Sequence, residues 1–224
     1  MKHNFIPEIK SNLRTRSVKV PNVIRKCSGI IILNKRIKSL IFSTDVAVIQ
    51  NSNPDAVMAV YPFTPTLTIT QALLSSSFTP LFIGVGGGLT SGERSLTLAL
   101  QAELLGAYGV VVNAPMQNDT LALIAESLDI PIVATIVSEN DDFEGKAKAG
   151  ANIFNISGGK NTINIVRKAR NIFGPEFPII ATGGKTDEQI EATIDAGANA
   201  ITYTPPSSAE IFAEVMRKYR EDKK

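Results

Sequence analysis

Three observations in this 224-residue sequence predict a (β/α)8 barrel. Short apolar runs rich in β-branched residues alternate with helical segments, and the alternation runs to eight. Two segments recur at a common offset of 47 residues: Pro131-Ile-Val-Ala-Thr135 as Pro178-Ile-Ile-Ala-Thr182, and Ala149-Gly-Ala-Asn152 as Ala196-Gly-Ala-Asn199. That is the length of a (βα)2 unit, and a weaker copy, Leu105-Gly-Ala107, precedes another strand. Stacked βα modules repeat in this way, and their consecutive strands run parallel. Two adjacent loops near the end of the chain each lead from a strand into a capped helix, as in the last units of a barrel. A doubly wound open sheet uses the same elements. The count of eight, and the lack of a G-x-G-x-x-G after the first strand, favour closure.

The elements follow in order along one domain, with a basic arm and hairpin over 1–37 and the barrel over 38–220. Pro21 starts a short helix from Val20 to Lys26. Ser28–Leu33 and Arg36–Phe42, turning at Asn34-Lys35, form a hairpin that closes the barrel floor and feeds the first barrel strand, Ser39–Phe42. Ser43-Thr44-Asp45 caps a short helix over 46–53. Ala56–Tyr61 is the second strand and Thr66–Ser76 its helix. Leu81–Val85 is the third, running into the glycine-dense loop GVGGGLTSGERS, which reads either as a mobile lid or as a polar surface loop, with Arg94 at its far end placed to reach an anion or to pair with Glu93. The helix Ser95–Leu105 follows. Gly109–Asn113 is the fourth strand, and Asn118 caps Asp119–Ser127. Pro131–Val137 is the fifth, followed by the helix Asp141–Ala149. Asn152–Ser157 is the sixth, then Gly-Gly-Lys-Asn-Thr and the helix Ile163–Phe173. Pro178–Thr182 is the seventh, stopped by Gly183-Gly184. Thr186 with Gln189 forms a capping box, and Gly197 ends that helix. Ala200–Thr204 is the eighth strand, and Ser207 with Glu210 opens the last helix.

Composition removes several classes of chemistry. No apolar run approaches the roughly 20 residues that span a bilayer. The leader MKHNFIPEIKSNLRTRS lacks an apolar signal core, so a cytoplasmic location is expected. Cys27 is the single cysteine and His3 the single histidine, so no disulfide, zinc cluster or His-based triad is available, and neither metal nor cofactor is expected. Residues 1–38 hold ten Lys/Arg against one acid, Glu8, whereas residues 39–224 hold 13 against 20 acids. A basic arm suits anionic partners, but no RNA-binding signature or interleaved aromatics accompany it. Nucleic acid and membrane are therefore not expected partners; a homo-oligomer stays open.

Barrel sites lie at the C-terminal ends of the strands. Those positions carry Ser43, Thr44 and Asp45; Tyr61 and Phe63; Gly84 to Gly88, with Gly86 and Gly87 central; Asn113; Ser138 and Glu139; Asn155, Ser157, Gly158 and Gly159; Thr182, Gly183, Gly184 and Lys185; and Thr204. The set is rich in small polar groups and poor in charge, which suits a small phosphorylated ligand better than demanding proton transfer. Gly183-Gly184 lets the backbone approach a ligand, and helix N-termini beyond such loops bind anions. Asp45 and Glu139 are the acids closest to strand ends, on opposite walls of the ring, and are the candidate acid and base. Against that, an acid in a helix first turn favours the macrodipole, and Glu139 shares an acidic loop with Asp141 and Asp142. Asn113, a further catalytic candidate, and Asn155 carry amides able to orient a hydroxyl or carbonyl. Lys185 reads as a point charge for phosphate or as a surface lysine, and Lys160 likewise. Tyr61, Gly86, Gly87, Asn155, Thr182 and Lys185 make up the expected substrate contacts.

The Gly-Gly pairs after the sixth and seventh strands, the Ala-Gly-Ala-Asn strand entry and the final Thr-Pro-Pro-Ser-Ser resemble the phosphate-binding aldolase-type barrels. Thiamine phosphate synthase, keto-deoxy-phosphogluconate aldolase and prenyl-glyceryl-phosphate synthase belong to that group. The resemblance covers residues 38–220 at fold level and 149–208 in motif. It implies phosphate contacts at Ser157, Gly158, Gly159, Gly183, Gly184, Thr204 and Ser207. The aldolases' strand-six lysine has no counterpart in Asn152–Ser157, which argues against Schiff-base chemistry. STDVAVIQNSNPDAVMAVYPFTP and GVGGGLTSGERS are similar to a group of bacterial barrels that carry only the general name hydrolase. No G-x-S-x-G or metal-ligand set accompanies them. The implied function is an enzyme on a small phosphorylated metabolite, a hydrolase, lyase or isomerase. The alternative is a non-catalytic sensor resembling glycerol-phosphate-responsive antiterminators.

Overall fold

Side chains on both faces of a parallel strand need burial, and here they find it: every residue of β4 (Ala56–Ala59), β6 (Gly109–Val112), β7 (Ile132–Ile136) and β8 (Ile153–Ile156) is buried. The computed structural model describes Pro7, Ile9, Ser11 and residues 18–221. Most of the basic arm, with His3, lies outside the described residues. Together with β3 (Ser39–Phe42), β5 (Leu81–Gly86), β9 (Ile179–Thr182) and β10 (Ala200–Tyr203), these strands close an eight-stranded parallel barrel in which β10 pairs with β3. Helices alternate with them: α1 (Val46–Gln50), α2 (Leu67–Ser76), α3 (Gly92–Leu104), α4 (Asn118–Ala125), α5 (Phe143–Lys148), α6 (Thr162–Phe173), α7 (Asp187–Asp195) and α8 (Ser208–Glu221).

The lumen is packed. Every barrel strand contributes to a single cluster: Leu40, Met58, Phe82, Val111, Val133, Ile153, Ile180 and Ala200, with Ala56 a second residue from β4. Ile30, Ile32 and Ile37 of the antiparallel pair β1 (Ile30–Ile32) and β2 (Lys35–Ile37) complete it, so the hairpin plugs the floor. Each of the cluster's Val, Leu, Ile, Phe and Met side chains contributes about 1.5–3 kcal/mol when fully buried. The hairpin turns at Leu33-Asn34, one residue earlier than expected. Both residues have positive φ, 44° and 64°, as a two-residue turn that follows strand twist demands.

The 47-residue repeat is repeated structure. Asn152 and Asn199 occupy matching positions before β8 and β10. Their Oδ1 atoms accept from Ile132 N at 2.8 Å and Ile179 N at 2.9 Å, and their own N–H groups donate to the carbonyls of those same residues. Each asparagine thereby joins the start of its strand to the start of the strand immediately before it in the chain.

Helix boundaries moved where a side chain found a better partner. α3 begins at Gly92 rather than Ser95, its first N–H donating to Thr120 Oγ1 at 3.2 Å. α5 begins at Phe143 because Asp141 turns back to accept from Val137 N and Ser138 N, leaving Asp142 as the cap. Asn118 is the first residue of α4 instead of its cap, and the turn at Asn22–Lys26 is 3-10. Thr186 accepts from Gln189 N as expected, while the Gln189 amide reaches past the cap to Lys185 N at 2.8 Å. Among the described residues no helix is long and apolar enough to cross a membrane.

Candidate active site at the barrel mouth

Alternation carries the lumen face of each strand two residues onward from the packed layer to the mouth. On β3–β6 those positions are Phe42, Val60, Gly84 and Asn113. On β7–β10 they are Thr135, Asn155, Thr182 and Thr202. Thr135, Asn155 and Thr202 are buried, at 9%, 7% and 5% exposure. Asn155 Nδ2 donates to Thr135 Oγ1 at 3.4 Å, and Thr182 Oγ1 donates to Ser157 Oγ at 3.2 Å just above. Asn155 Oδ1 and Thr202 Oγ1 have no hydrogen-bond partner among the described residues. The residue pairs Thr135–Asn155 and Thr202–Thr182 lie in register on neighbouring strands.

Thr135 and Thr202 were absent from the residues expected to form the site. The signal was in the repeat: Thr135 is the 47-residue counterpart of Thr182, and Thr202 that of Asn155.

Apart from Asn155, the expected site residues fall into four groups. Ser157, Gly158, Gly159, Thr182, Gly183, Gly184 and Lys185 sit together above β8 and β9. The two glycine pairs share one design. A Cβ on Gly183 would come within 2.7 Å of Ile201 and 2.9 Å of Ile190, and one on Gly158 would collide with Ile165. Ile165 and Ile190 each lie seven residues after their glycine, on α6 and α7, so the first glycine of each pair lets the helix sit tightly on its strand. Gly158 N is held by Thr162 Oγ1. The second glycines, Gly159 and Gly184, are exposed, have φ of 60° and 89°, and each precedes an exposed lysine, Lys160 or Lys185.

Tyr61, Gly86, Gly87 and Asn113 share a different cavity of about 210 Å³ over β4–β6, walled by Phe63 and Leu89. Gly87 has no room for a side chain, since a Cβ would lie 2.7 Å from that of Asn113. The Tyr61 hydroxyl accepts from Thr66 N at 3.0 Å, and Asn113 N donates to Gly86 O at 2.8 Å.

Asp45 and Ser207 each bond at the start of α8, Asp45 to Ser208 and Ser207 to Glu210. Asp45 Oδ1 caps α1 through Ala47 N and Val48 N, and Oδ2 accepts from Ser208 N at 3.2 Å. The Ser208 side chain, with the N–H groups of Val48, Ser208 and Ala47, holds this carboxyl below its usual range against a smaller upward push from burial. The Ser207 N–H and hydroxyl both donate to Glu210 Oε2 at 2.8 Å. Two carboxylates of the chain itself thus occupy the N–H groups that open α8, next to exposed Thr204. Glu139 stands apart above β7: Oε1 accepts from Asn161 Nδ2 at 2.6 Å, and its carbonyl accepts from Lys168.

Among the described residues one lysine is buried. Lys146 on α5 donates to the carbonyls of Ala114 and Met116, outside the lumen, and burial pulls its pKa down. No group of three or more His, Cys, Asp or Glu is set to hold a metal ion among the described residues.

No protein-family model matches the chain, and no curated protein matches its sequence. Solved structures do share its fold. Phosphonopyruvate hydrolase, solved with oxalate and Mg2+, superposes with a TM-score of 0.61 at 14% identity, over 84% of this chain and 83% of that one. A monomeric dihydrodipicolinate synthase variant gives 0.55 at 18% identity, over 74% and 68%. Inosine 5′-monophosphate dehydrogenase from Legionella pneumophila gives 0.59 at 16%, over 75% and 58%. At these identities the likeness is one of fold, the (β/α)8 barrel.

Proposed function

We propose that this barrel is an enzyme acting on a small phosphorylated metabolite, with the phosphate held above β8 and β9. One observation carries the reading. Ser157 and Thr182 bring their hydroxyls to 3.2 Å at the ends of adjacent strands, beneath two glycine turns that each present an exposed lysine. Hydroxyl donors, backbone N–H groups at the starts of α6 and α7, and Lys160 and Lys185 form a set that matches a phosphate dianion. The start of α8 fits less well, because Asp45 and Glu210 already fill it; Ser207 and Thr204 are assigned to the rim of the site.

The reaction belongs among hydrolysis, lysis and isomerisation. Glu139 is the proposed general base, because among the described residues only one of its carboxylate oxygens has a partner. Asp45 is the proposed electrostatic partner across the mouth, kept anionic by its N–H donors, and Asn113 orients the reacting group from the β4–β6 cavity with Tyr61, Gly86 and Gly87. A second reading, a non-catalytic sensor of the same ligand, is favoured by one feature: the last lumen positions of β7–β10 are all neutral. Turnover of a bound ligand separates the two.

The test is thermal unfolding with inorganic phosphate and a panel of sugar and polyol phosphates, on wild type and on Ser157→Ala and Lys185→Ala. A ligand at a hundred times its dissociation constant stabilises by about 2.7 kcal/mol. The reading expects such a gain in wild type and its loss in both variants. Equal gains in all three proteins, or none in wild type, would overturn it.

A further inference from the structure

Four adjacent strands, β7 to β10, end on their lumen side in Thr135, Asn155, Thr182 and Thr202. Three of these side chains are more than nine-tenths buried, and two of their polar atoms, Asn155 Oδ1 and Thr202 Oγ1, have no partner among the described residues. Buried polar atoms are nearly always paired, so these two point to a group from outside the chain. Their chemistry narrows what that group is. An amide oxygen only accepts, so it requires an O–H or N–H donor. A threonine hydroxyl both donates and accepts, and another hydroxyl satisfies both roles. The arc carries no cation that would pair with a carboxylate, and a carboxylate's oxygens would face Asn155 Oδ1 acceptor to acceptor. It carries no anion that would pair with an ammonium group either. Ser157 links the arc to the glycine turns above through its bond with Thr182.

We infer that this arc binds the uncharged hydroxyl end of the ligand, which makes the substrate class a polyol or sugar phosphate and not a phosphorylated carboxylic acid. The inference rests on the phosphate reading for the other end of the molecule. Thr135 positions Asn155, and Asn155 and Thr202 read the hydroxyls.

The experiment is calorimetric titration of wild type, Thr202→Val and Asn155→Leu with four probes: inorganic phosphate, glycerol phosphate, phosphoglycerate and xylitol. Thr202→Val keeps the side-chain shape and exchanges an unpartnered hydroxyl for a methyl, so its fold is expected to survive; unfolding curves check both variants. Wild type is expected to bind glycerol phosphate about tenfold more tightly than inorganic phosphate or phosphoglycerate, the size of one hydrogen bond. Thr202→Val is expected to lose that preference while holding inorganic phosphate as wild type does. Glycerol phosphate binding wild type no better than inorganic phosphate overturns the inference and leaves the phosphate reading intact. So does a preference for phosphoglycerate. Xylitol binding that Thr202→Val abolishes, with no phosphate binding at all, upholds the arc and overturns the phosphate reading. Silence from all four probes overturns both.

Discussion

Phe42, Val60, Gly84 and Asn113 finish the lumen face of β3–β6, and Thr135, Asn155, Thr182 and Thr202 finish that of β7–β10. The first half of the mouth is apolar or bare apart from Asn113, with room made by glycine; the second is neutral and polar, and buried at every position but Thr182. The second half coincides with the two copies of the 47-residue repeat, which match at the strand entries Pro131–Thr135 and Pro178–Thr182 and in their asparagine clamps. The repeat sets Thr135 against Thr182 at the same register, and Asn155 against Thr202, so both copies contribute polar side chains to one wall, with the β4–β6 cavity beside it. The proposed function puts specificity and phosphate binding on the repeated side and leaves the β4–β6 cavity for the remainder of the ligand.

Substitutions within the two copies test how alike they are. The largest effect is expected from Gly183→Val, whose side chain would enter the packing of Ile190 and Ile201 and cost about 3 kcal/mol in urea unfolding. Gly159→Asn, in open space at a φ asparagine tolerates, should stay within about 0.5 kcal/mol. Next come the clamps. Asn199 Oδ1 accepts from Arg170 Nη2 as well as Ile179 N, so Asn199→Ala should cost about 2 kcal/mol and Asn152→Ala, which loses a neutral bond, about 1 kcal/mol. Equal losses would show that the arginine adds nothing.

Asp45→Ala removes the cap of α1 and the tie to α8, and should cost about 1 kcal/mol at neutral pH. The sign of its pH dependence follows from a lowered carboxyl pKa. The contribution is complete above the unfolded value of about 3.9 and is lost as pH falls through the lower folded value, so wild type and Asp45→Ala should converge in acid. The smallest effect at neutral pH belongs to Cys27. Burial pushes its thiol up to about 12, so its contribution is complete below the unfolded value of about 8.5 and is lost as pH rises between the two. Iodoacetamide at pH 8 should leave the folded protein unlabelled and modify it in urea; rapid labelling of the folded protein would contradict the burial.

Most of the fold was legible because it rests on local signals. The β-branched runs, the Thr186–Gln189 and Ser207–Glu210 boxes and Gly197 all act within a few residues of chain. The boundaries that moved depended on distant partners: Thr120 supplies Gly92, and Asp141 serves Val137 instead of its own helix. The site was legible in part. Asn155, Thr182 and the glycine pairs stand out as polar or bare residues at strand ends. Thr135 and Thr202 look like ordinary β-branched strand residues, and only their lumen parity marks them. The glycine pairs also hid a division of labour, since nothing in Gly-Gly says which residue meets a helix and which faces outward. Nor does the pattern show that Asp45 spans to Ser208, a contact across 163 residues.

The most direct measurement is a titration of the isotope-labelled protein with inorganic phosphate, followed through its backbone amide resonances. The account predicts saturable shifts at Gly159, Lys160, Gly184 and Lys185, with Gly87, Leu89 and Ser208 unmoved. Shifts centred on Gly86–Leu89 or on Ser207 and Ser208, or no saturable shift anywhere, would contradict it.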